Sequence, residues 1–493
     1  MKKMNCFLKL FCCLLILLPL SNYAKEMKVS DYVILTSKAV RESAEWMKVV
    51  EILKEKHNAQ VFYYEKLPRE NLSDLKRVKP RYVAIVEQPK YLNRDYIIDL
   101  NMLSREVDED IYADFLWGII TGYDADAAIK MVDNSTEPLV IKDAISTIME
   151  LNSAKWFDHY AWIDDHQKAL FGQKEGKGEL VQTEVLEPNS VWKKFSDIYT
   201  SYNPDLIVTA FHASQSKLEI PYYLGEVICK EGKLYIRGGT FEEEAIPLKE
   251  TGKRKVYFAV GNCLIGDVAN SRNSMAIAWM SGGDAATMIG YVVPTWHGRN
   301  GWGGLKYWLT TPGRYTLAEA IFLNQQDFLN QQYQWYPSLI KEKYPHSAWG
   351  NRQEGIERLK QVTGKEKITN DELGFWYDRD VLAFYGDPKW NVRLQEIPEE
   401  NDFTVMSKIK GKKCIITIKT NKNFSLERMK GDHFKEEHVL DIPFSYFFPT
   451  RLKNPRLAAG QDWKVAMDEN FLLVYEPDFA PGNSYTIVLD FDK

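Results

Sequence analysis

The sequence has 493 residues, 13% of them aromatic, and a formal net charge of −5. This acidic balance argues against a nucleic-acid partner, because domains that bind nucleic acid carry an excess of basic residues. The length predicts about three domains. The sequence contains no low-complexity tract, heptad pattern or short repeat that would indicate a disordered or fibrous protein.

The first segment predicts a secretory signal. Two lysines precede a leucine-rich core at residues 14–20 and a short polar stretch that ends at Ala24. This pattern is typical of a cleavable signal peptide over residues 1–24, so we expect a secreted, periplasmic or cell-surface protein. The apolar core is shorter than the roughly 20 residues that cross a bilayer, which argues against a membrane span.

Removal of that segment leaves only Cys229, Cys263 and Cys414. An odd number of cysteines cannot all pair within one chain. In an exported protein, such a cysteine is a candidate for a free reactive thiol, although a buried and inert cysteine is the commoner case.

From Asp31 to about Val132, apolar runs alternate with amphipathic stretches. The runs are DYVILTS, AQVFYYE and RYVAIVEQ, and the first helix-like stretch is ESAEWMKVVEILKEKH. Strands that alternate with helices predict a parallel sheet. We therefore assign residues 25–155 to an N-terminal α/β subdomain.

A second set of strand-like runs follows, namely HYAWID, DLIVTAFH, KVYFAVGNC and AATMIGYVV. Stretches long enough for helices separate these runs, so residues 156–393 form a second, adjacent parallel-sheet α/β subdomain. Residues 394–493 consist of short β-rich runs with turns at near-regular intervals. This last pattern predicts a small antiparallel sandwich of the immunoglobulin-like type.

Polar residues follow three of the predicted strands in the second subdomain: Asp164, His212 and Cys263. Functional groups in open parallel sheets gather beyond the carboxyl ends of the strands, so these side chains could face one another. A thiolate attacks acyl carbons, an imidazole takes up and returns the proton, and a carboxylate can hold the imidazole in the productive tautomer.

Each of these residues taken alone is more often structural than catalytic. The pairing carries more weight, because His212 precedes Cys263 by roughly 50 residues, the separation found in caspases. The caspase pentapeptide itself is absent. Small residues follow the histidine and precede the cysteine, as close approach of a substrate backbone requires.

Several stretches of the sequence resemble the gingipain-type cysteine peptidases of the caspase and legumain clan. In that family one apolar strand ends in His-Gly-Ser and another in Asn-Cys or a similar pair, and here these become FHAS and GNC. Further stretches match the family in the same order: DEDIYADFLWG, ITGYDADAAIKMVD, SMAIAWMSGGDAATMIGY and LAFYGDPKWNVRL. The similarity covers roughly Asp31 to Leu394.

The resemblance implies a two-part α/β region, whose second part is caspase-like, followed by an immunoglobulin-like domain. It implies His212 and Cys263 as the catalytic dyad, with the backbone amides of Ala213 and Cys263 as the oxyanion hole. Asp164 would be the third group, and Trp296 would roof the pocket for the residue before the cleaved bond. Ala213 replaces the family's usual glycine, so its methyl group narrows the path of the substrate.

Members of that family with strong peptidase activity often carry a long inhibitory pro-segment. Here only about six residues lie between the predicted cleavage point and DYVILTS. We therefore expect that control is achieved by another route, or that the activity is narrow enough to need none.

Two motifs suggest other chemistry. DHYAWIDDH is rich in acids and histidines, but strand alternation directs His159 and His166 to opposite faces, which argues against a metal site. GRNGWGGLKYW lacks the spacing of phosphate-binding loops and is better explained as a wall of the peptidase cleft. We expect no metal and no cofactor.

The sequence thus predicts an exported cysteine endopeptidase that cleaves polypeptides through a thioester acyl-enzyme. The alternative is a non-catalytic secreted or cell-surface protein that binds a partner on a peptidase-like scaffold. A thiol-directed label separates the two, because a peptidase should be marked at Cys263 and spared at Cys229 and Cys414.

Overall fold

The structure is a computed structural model that describes residues 31–148, 157–239, 244–347, 349–396, 402–431 and 439–492. The predicted signal peptide lies outside these residues. None of the helices within them is both long and apolar enough to cross a membrane.

The first part of the chain alternates strands and helices, as the sequence predicts. Its elements are β1 (Tyr32–Ser37), α1 (Lys38–Arg41), α2 (Ala44–His57), β2 (Gln60–Tyr64), α3 (Leu72–Val78), β3 (Tyr82–Val86), α4 (Arg94–Leu103), β4 (Leu116–Ile120) and α5 (Ala125–Asn134). Several of these helices begin at a side-chain cap, for example Ser43 before α2 and Asp124 before α5. Such caps satisfy backbone N–H groups of the first turn.

The second part continues the alternation and adds a small antiparallel sheet. Its elements are β5 (Leu139–Ile141), β6 (Asp143–Ser146), β7 (His159–Ile163), β8 (Leu170–Lys174), β9 (Gln182–Val185), α6 (Val191–Tyr202), β10 (Leu206–Thr209), β11 (Lys217–Ile220), β12 (Gly225–Lys230), β13 (Lys233–Arg237), β14 (Ile246–Pro247), β15 (Lys255–Ala259), α7 (Met275–Ser281), β16 (Ala285–Tyr291), α8 (Arg299–Thr310), α9 (Leu317–Trp335), α10 (Arg352–Thr363), α11 (Asn370–Asp378), β17 (Leu382–Gly386) and β18 (Val392–Leu394).

Twelve strands drawn from both parts form one sheet in the order β2-β1-β3-β4-β17-β16-β15-β10-β6-β7-β8-β9, whereas β11–β14 form a separate sheet and β5 pairs with β18. Strand β17 joins the two halves, since it pairs parallel with β4 and antiparallel with β16. The predicted α/β class with two adjacent strand sets is confirmed, and the structure adds that the two sets share one sheet. Strand β6 belongs to the second half of the sheet although it precedes residue 155.

The junction between the halves depends on close backbone contact. A Cβ atom on Gly118 of β4 would lie 2.2 Å from the carbonyl oxygen of Gly386 on β17. A side chain at this position would therefore push the two strands apart. The neighbouring strands β15 and β16 are buried along their whole length, as expected for strands that helices cover on both faces.

The C-terminal part is an antiparallel sandwich, as the sequence predicts. Its elements are β19 (Phe403–Lys410), β20 (Lys413–Thr420), α12 (Leu426–Lys430), β21 (Phe444–Phe447), β22 (Lys453–Leu457), β23 (Val465–Asp468), β24 (Phe471–Val474) and β25 (Ser484–Asp492). One sheet has the order β19-β20-β25-β22 and the other β21-β24-β23. The two sheets enclose their own core, which includes Ile416, Phe444 and Leu472.

The sandwich packs on the α/β region through aromatic side chains. Phe322 of α9 contacts Phe447 and Phe471 at ring-centroid distances of 5.8 and 6.1 Å. These edge-to-face contacts join the two parts of the molecule.

Candidate active site

Three neighbouring strands of the large sheet carry the predicted site residues at their carboxyl ends. Strands β10, β15 and β16 lie side by side and run parallel. His212 follows β10, Cys263 follows β15, and Trp296 follows β16. All three residues therefore leave the sheet at the same edge, where open parallel sheets place their ligand sites.

Asn262 joins the ends of β10 and β15. Its buried side chain accepts a hydrogen bond from Thr209 Oγ1 at 2.6 Å and donates one from Nδ2 to the carbonyl oxygen of Phe211 at 2.9 Å. Phe211 and Asn262 are the residues directly before His212 and Cys263. The candidate base and nucleophile are thus attached to two backbone segments that a buried amide holds together.

Both segments turn sharply at a non-glycine residue. Phe211, just before His212, has φ +93°, and Leu264, just after Cys263, has φ +59°. Such left-handed conformations cost on the order of 1–3 kcal/mol each and persist where the surrounding structure enforces them, often at functional sites. The two turns carry the chain away from the strand direction on either side of the candidate pair.

Cys263 is partly exposed, and its sulfur accepts a hydrogen bond from one of the described residues. The backbone N–H of Thr295 donates to Sγ at 3.1 Å. Thr295 lies in the segment after β16, so three strand ends contribute to this site.

The other two cysteines of the described residues have different surroundings. Burial raises the pKa of the Cys229 thiol to about 11 and also raises the pKa of Cys414, which lies in the sandwich core. Both thiols are therefore largely protonated at neutral pH and weakly reactive.

His212 is exposed, and aromatic rings surround its imidazole. Its ring stacks on Tyr223 at a centroid distance of 5.8 Å and lies 4.8 Å from the ring of Phe211. Its backbone carbonyl accepts a hydrogen bond from Glu219 N–H at 2.9 Å. Within the described part of the chain, the imidazole forms no hydrogen bond to Cys263 or to Asp164.

The loop that supplies Tyr223 is conformationally strained. Tyr222 and Tyr223 are consecutive and have φ +63° and +59°. Both rings lie near Phe211, at centroid distances of 6.0 and 6.1 Å. These left-handed residues present Tyr223 to His212 while leaving it 61% exposed.

Asp164 lies at the carboxyl end of β7, where the sequence places it, but its carboxylate has a local partner set. Oδ1 accepts hydrogen bonds from the backbone N–H groups of His166 and Gln167 at 2.6 and 2.7 Å. These bonds close the turn between β7 and β8. The structure does not bring Asp164 and His212 together, so the orienting role of Asp164 stays a prediction.

The two amides predicted for the oxyanion hole are the backbone N–H groups of Ala213 and Cys263. Ala213 pairs with Leu218 in an isolated β-bridge whose hydrogen bonds are made by the flanking residues. Neither Ala213 N–H nor Cys263 N–H donates a hydrogen bond to any described residue. The oxyanion hole formed by these two N–H groups stays a prediction.

Trp296 is 52% exposed and packs against the backbone of Gly350. A Cβ atom on Gly350 would lie 2.3 Å from Trp296 Nε1 and 2.5 Å from the Tyr377 hydroxyl.

Tyr377 donates a hydrogen bond to the carbonyl oxygen of Pro294 at 2.9 Å. Its pKa is raised, mainly by burial, with further contributions from its neighbours, including Cys263. Tyr377 of α11 is thus a wall of the site that the sequence analysis missed.

The acid- and histidine-rich motif DHYAWIDDH and the glycine-rich motif GRNGWGGLKYW have structural roles. His159 Nδ1 lies 2.8 Å from Asp143 Oδ1, whereas His166 Nε2 lies 3.8 Å from Asp165, so the two imidazoles have separate partners. The glycine-rich segment forms the buried start of α8. A Cβ atom on Gly301 there would lie 2.4 Å from the Val260 carbonyl oxygen, so glycine lets α8 approach the end of β15.

A group of carboxylates that could hold a hard cation lies between the loop before β4 and the sandwich. Oxygens of Asp108, Asp110 and Asp468 lie within 4.8 Å of one another. Burial, with mutual repulsion, raises the pKa of Asp110 to about 6 and that of Asp468 to about 7. The group contains none of the predicted site residues, and the sequence analysis missed it because Asp468 comes from the sandwich.

Comparisons with known proteins give similarity only at the level of solved structures. No family model matches the sequence, and no curated protein matches it. The chain is similar to the complex of Porphyromonas gingivalis RgpB pro- and mature domains, with 11% identity and a TM-score of 0.39 over 94% of this chain and 93% of that chain.

The chain is also similar to the Arg-specific cysteine proteinase gingipain R, with 10% identity and a TM-score of 0.39 over 95% of this chain and 93% of that one. A third structure, described only as a protease, gives 10% identity and a TM-score of 0.36 over 79% and 85% of the two chains. The first two structures belong to the family that the sequence motifs resemble. At such low values the similarity carries no conclusion about the chemistry of this chain.

Proposed function

We propose that the protein is an exported cysteine endopeptidase in which Cys263 is the nucleophile and His212 is the general base and acid. The observation that carries the proposal is the buried Asn262 amide, which fixes the backbone before Cys263 to the backbone before His212. A thiol and an imidazole held at one edge of a parallel sheet are the minimum equipment for acyl transfer.

The reaction begins when the His212 imidazole takes the proton from Cys263 Sγ. The thiolate then attacks the carbonyl carbon of a peptide bond and forms a new S–C bond. The carbonyl oxygen becomes an oxyanion, which the N–H groups of Ala213 and Cys263 stabilise.

The tetrahedral intermediate collapses when the C–N bond breaks and the imidazolium gives its proton to the leaving amine. Water next attacks the thioester while His212 accepts a proton from it. The S–C bond then breaks, the carboxylic acid product leaves, and the returning proton restores the thiol and the neutral imidazole.

Stacking supports the orientation of His212 in this proposal. The imidazole stacks on the ring of Tyr223 and lies beside the tilted ring of Phe211, and the His212 carbonyl accepts the hydrogen bond from Glu219 N–H. The hydrogen bond between His212 and Cys263 has to form when a substrate binds, since catalytic hydrogen bonds are often absent or long in free enzymes.

The substrate is a polypeptide in this account. Trp296 supplies a flat, half-exposed surface beside Cys263 that suits an apolar or cationic side chain. The methyl group of Ala213 lies next to the amide that would hold the oxyanion, so it restricts how a bulky substrate backbone can approach. Export rests on the predicted signal peptide.

The test is hydrolysis of a diverse peptide library by the chain without residues 1–24, under reducing conditions. We expect Cys263→Ala to abolish cleavage while leaving the thermal unfolding temperature close to that of the wild type. Cys229→Ala is the matched control and should retain cleavage. Cleavage that persists in Cys263→Ala, or that is absent from the wild type across the library, would reject the assignment.

A further inference from the structure

A cavity of about 270 Å³ lies between the α/β region and the sandwich. Its walls come from β3, from the start of α9, from β18 and from the end of β21. Three guanidinium groups line it, those of Arg81, Arg314 and Arg393, together with a single carboxylate, that of Glu319. The lining therefore carries an excess of positive charge, although the net charge of the whole protein is negative.

Arg81 is 7% exposed, and the acceptors of its side-chain hydrogen bonds among the described residues are neutral carbonyl oxygens. Its two terminal nitrogens donate to the carbonyl oxygens of Phe448 and Pro449, and its guanidinium lies 4.2 Å from the ring centroid of Phe447. Its Nε is buried and has no acceptor among the described residues. Burial lowers the pKa of Arg81.

Arg314 repeats this arrangement from the other wall of the cavity. Nη2 donates to the carbonyl oxygen of Phe403 at 3.3 Å, and the guanidinium lies 4.0 Å from the Phe403 ring centroid. Nη1 is buried without an acceptor in the described part of the chain. Burial lowers the pKa of Arg314 as well, although the nearby Glu396 opposes this effect.

The carboxylates near the cavity already have partners. Glu319 Oε2 accepts the Thr316 N–H at 2.8 Å as part of a helix cap and lies 3.5 Å from Arg393. Asp31 pairs with Lys389 at 2.8 Å. Neither Arg81 nor Arg314 forms an ion pair with a described carboxylate, although Glu319 and Asp31 lie near Arg81 and Glu396 lies near Arg314.

Buried charges are normally paired, and an unpaired buried donor carries a desolvation cost. A planar guanidinium matches the geometry of a phosphate or carboxylate group, to which it can donate two parallel hydrogen bonds. An oxyanion in this cavity would balance the positive charge of the three arginines that line it. The volume is below the usual range for drug-sized ligands, which fits a small anion.

We propose that this cavity is a binding site for a small oxyanion, with a phosphate or carboxylate group held by Arg81, Arg314 and Arg393. The bound anion contacts both walls of the cavity and therefore stabilises the attachment of the sandwich to the α/β region. The proposal does not depend on peptidase activity.

The test is calorimetric titration of the chain without residues 1–24 with sodium phosphate and, separately, with sodium citrate. Sodium chloride keeps the ionic strength constant, because surface charge effects depend on salt. We expect saturable binding of at least one of the two anions to a single site, together with an anion-dependent rise in the unfolding temperature. Binding of phosphate alone identifies a tetrahedral ligand, and binding of citrate alone identifies a carboxylate.

Arginine substitutions test whether the anion binds in this cavity. Arg314→Gln and Arg393→Gln should each weaken binding at least about tenfold, since each removes a charge-assisted hydrogen-bond donor. Arg456→Gln is the matched control, because this arginine is 60% exposed on the sandwich and pairs with Asp492. If Arg314→Gln does not fold, the anion affinity of Arg393→Gln alone decides the test. Absence of saturable binding in the wild type, or equal affinity in all variants, would overturn the proposal.

Discussion

The side chain of Asn262 donates a hydrogen bond to the carbonyl oxygen of Phe211 at 2.9 Å, which joins the carboxyl ends of β15 and β10. Cys263 directly follows Asn262 in the sequence, and His212 directly follows Phe211. The distance between the thiol and the imidazole is therefore set by a buried amide rather than by contact between the two side chains.

Asn262→Ala should lower both stability and activity. It leaves the partly buried Phe211 carbonyl without a donor, which costs about 1–3 kcal/mol. It also frees the two strand ends to move apart, and a displacement of about 1 Å at such a site can lower kcat/KM on the order of 100-fold. Thermal unfolding and peptide hydrolysis measure the two effects. Asn273→Ala, in an exposed loop, should change neither, and a fully active Asn262→Ala would contradict this role.

Tyr223→Ala should lower kcat, whereas Tyr223→Phe should retain it, because the stacked ring and not the hydroxyl holds His212 in place. Tyr91→Ala serves as the control, because it removes an exposed tyrosine that is distant in sequence from His212. Equal kcat in wild type and Tyr223→Ala would show that stacking has no part in positioning His212.

Asp164→Asn separates the two roles considered for Asp164. Asparagine keeps an oxygen that can accept the N–H groups of His166 and Gln167, so the turn should survive and kcat should stay within about tenfold of wild type. A carboxylate that held the tautomer of His212 would instead produce a loss on the order of 10,000-fold when replaced by its amide. Asp164→Ala should destabilise the turn by about 1 kcal/mol, measurable by thermal unfolding.

His346 should make the protein less stable as the pH falls. Burial lowers its pKa to about 3 in the folded protein, whereas an unfolded histidine titrates near 6.5. Between these values only the unfolded chain binds the proton, so the contribution of His346 to stability decreases as pH drops from about 6.5 towards 3. Acidification should thus destabilise the wild type more than His346→Gln.

The measurement for His346 is the difference in unfolding temperature between wild type and variant across this pH range. Buried acids such as Asp327, whose pKa burial raises to about 6, titrate in the same range with the opposite sign, and the difference removes their effect. His166→Gln replaces an exposed histidine as the control. A difference that does not change with pH would contradict the expectation.

The sequence predicts the strands that carry Cys263 and His212 because each is a continuous apolar run that ends in a polar residue. It also predicts the sandwich, since β20 alternates buried and exposed residues along most of its length. These features are local, and periodicity reveals them.

Long-range features escaped the sequence analysis. The insertion of β17 between β4 and β16 depends on residues far apart in the chain, and no local pattern encodes the order of strands in a sheet. The same holds for the stacking of Tyr223 on His212 and for the position of Tyr377 beside Cys263. Asp164 lies at a strand end as the sequence predicts, but only the structure reveals that its carboxylate accepts hydrogen bonds from the backbone N–H groups of His166 and Gln167.

The rate at which iodoacetamide alkylates each cysteine tests the central claim most directly, with mass spectrometry to locate the label. The account predicts that Cys263 reacts first, that Cys229 and Cys414 react slowly, and that His212→Ala slows alkylation of Cys263 at least about tenfold. Equal labelling of the three thiols, or an unchanged rate at Cys263 in His212→Ala, would contradict it.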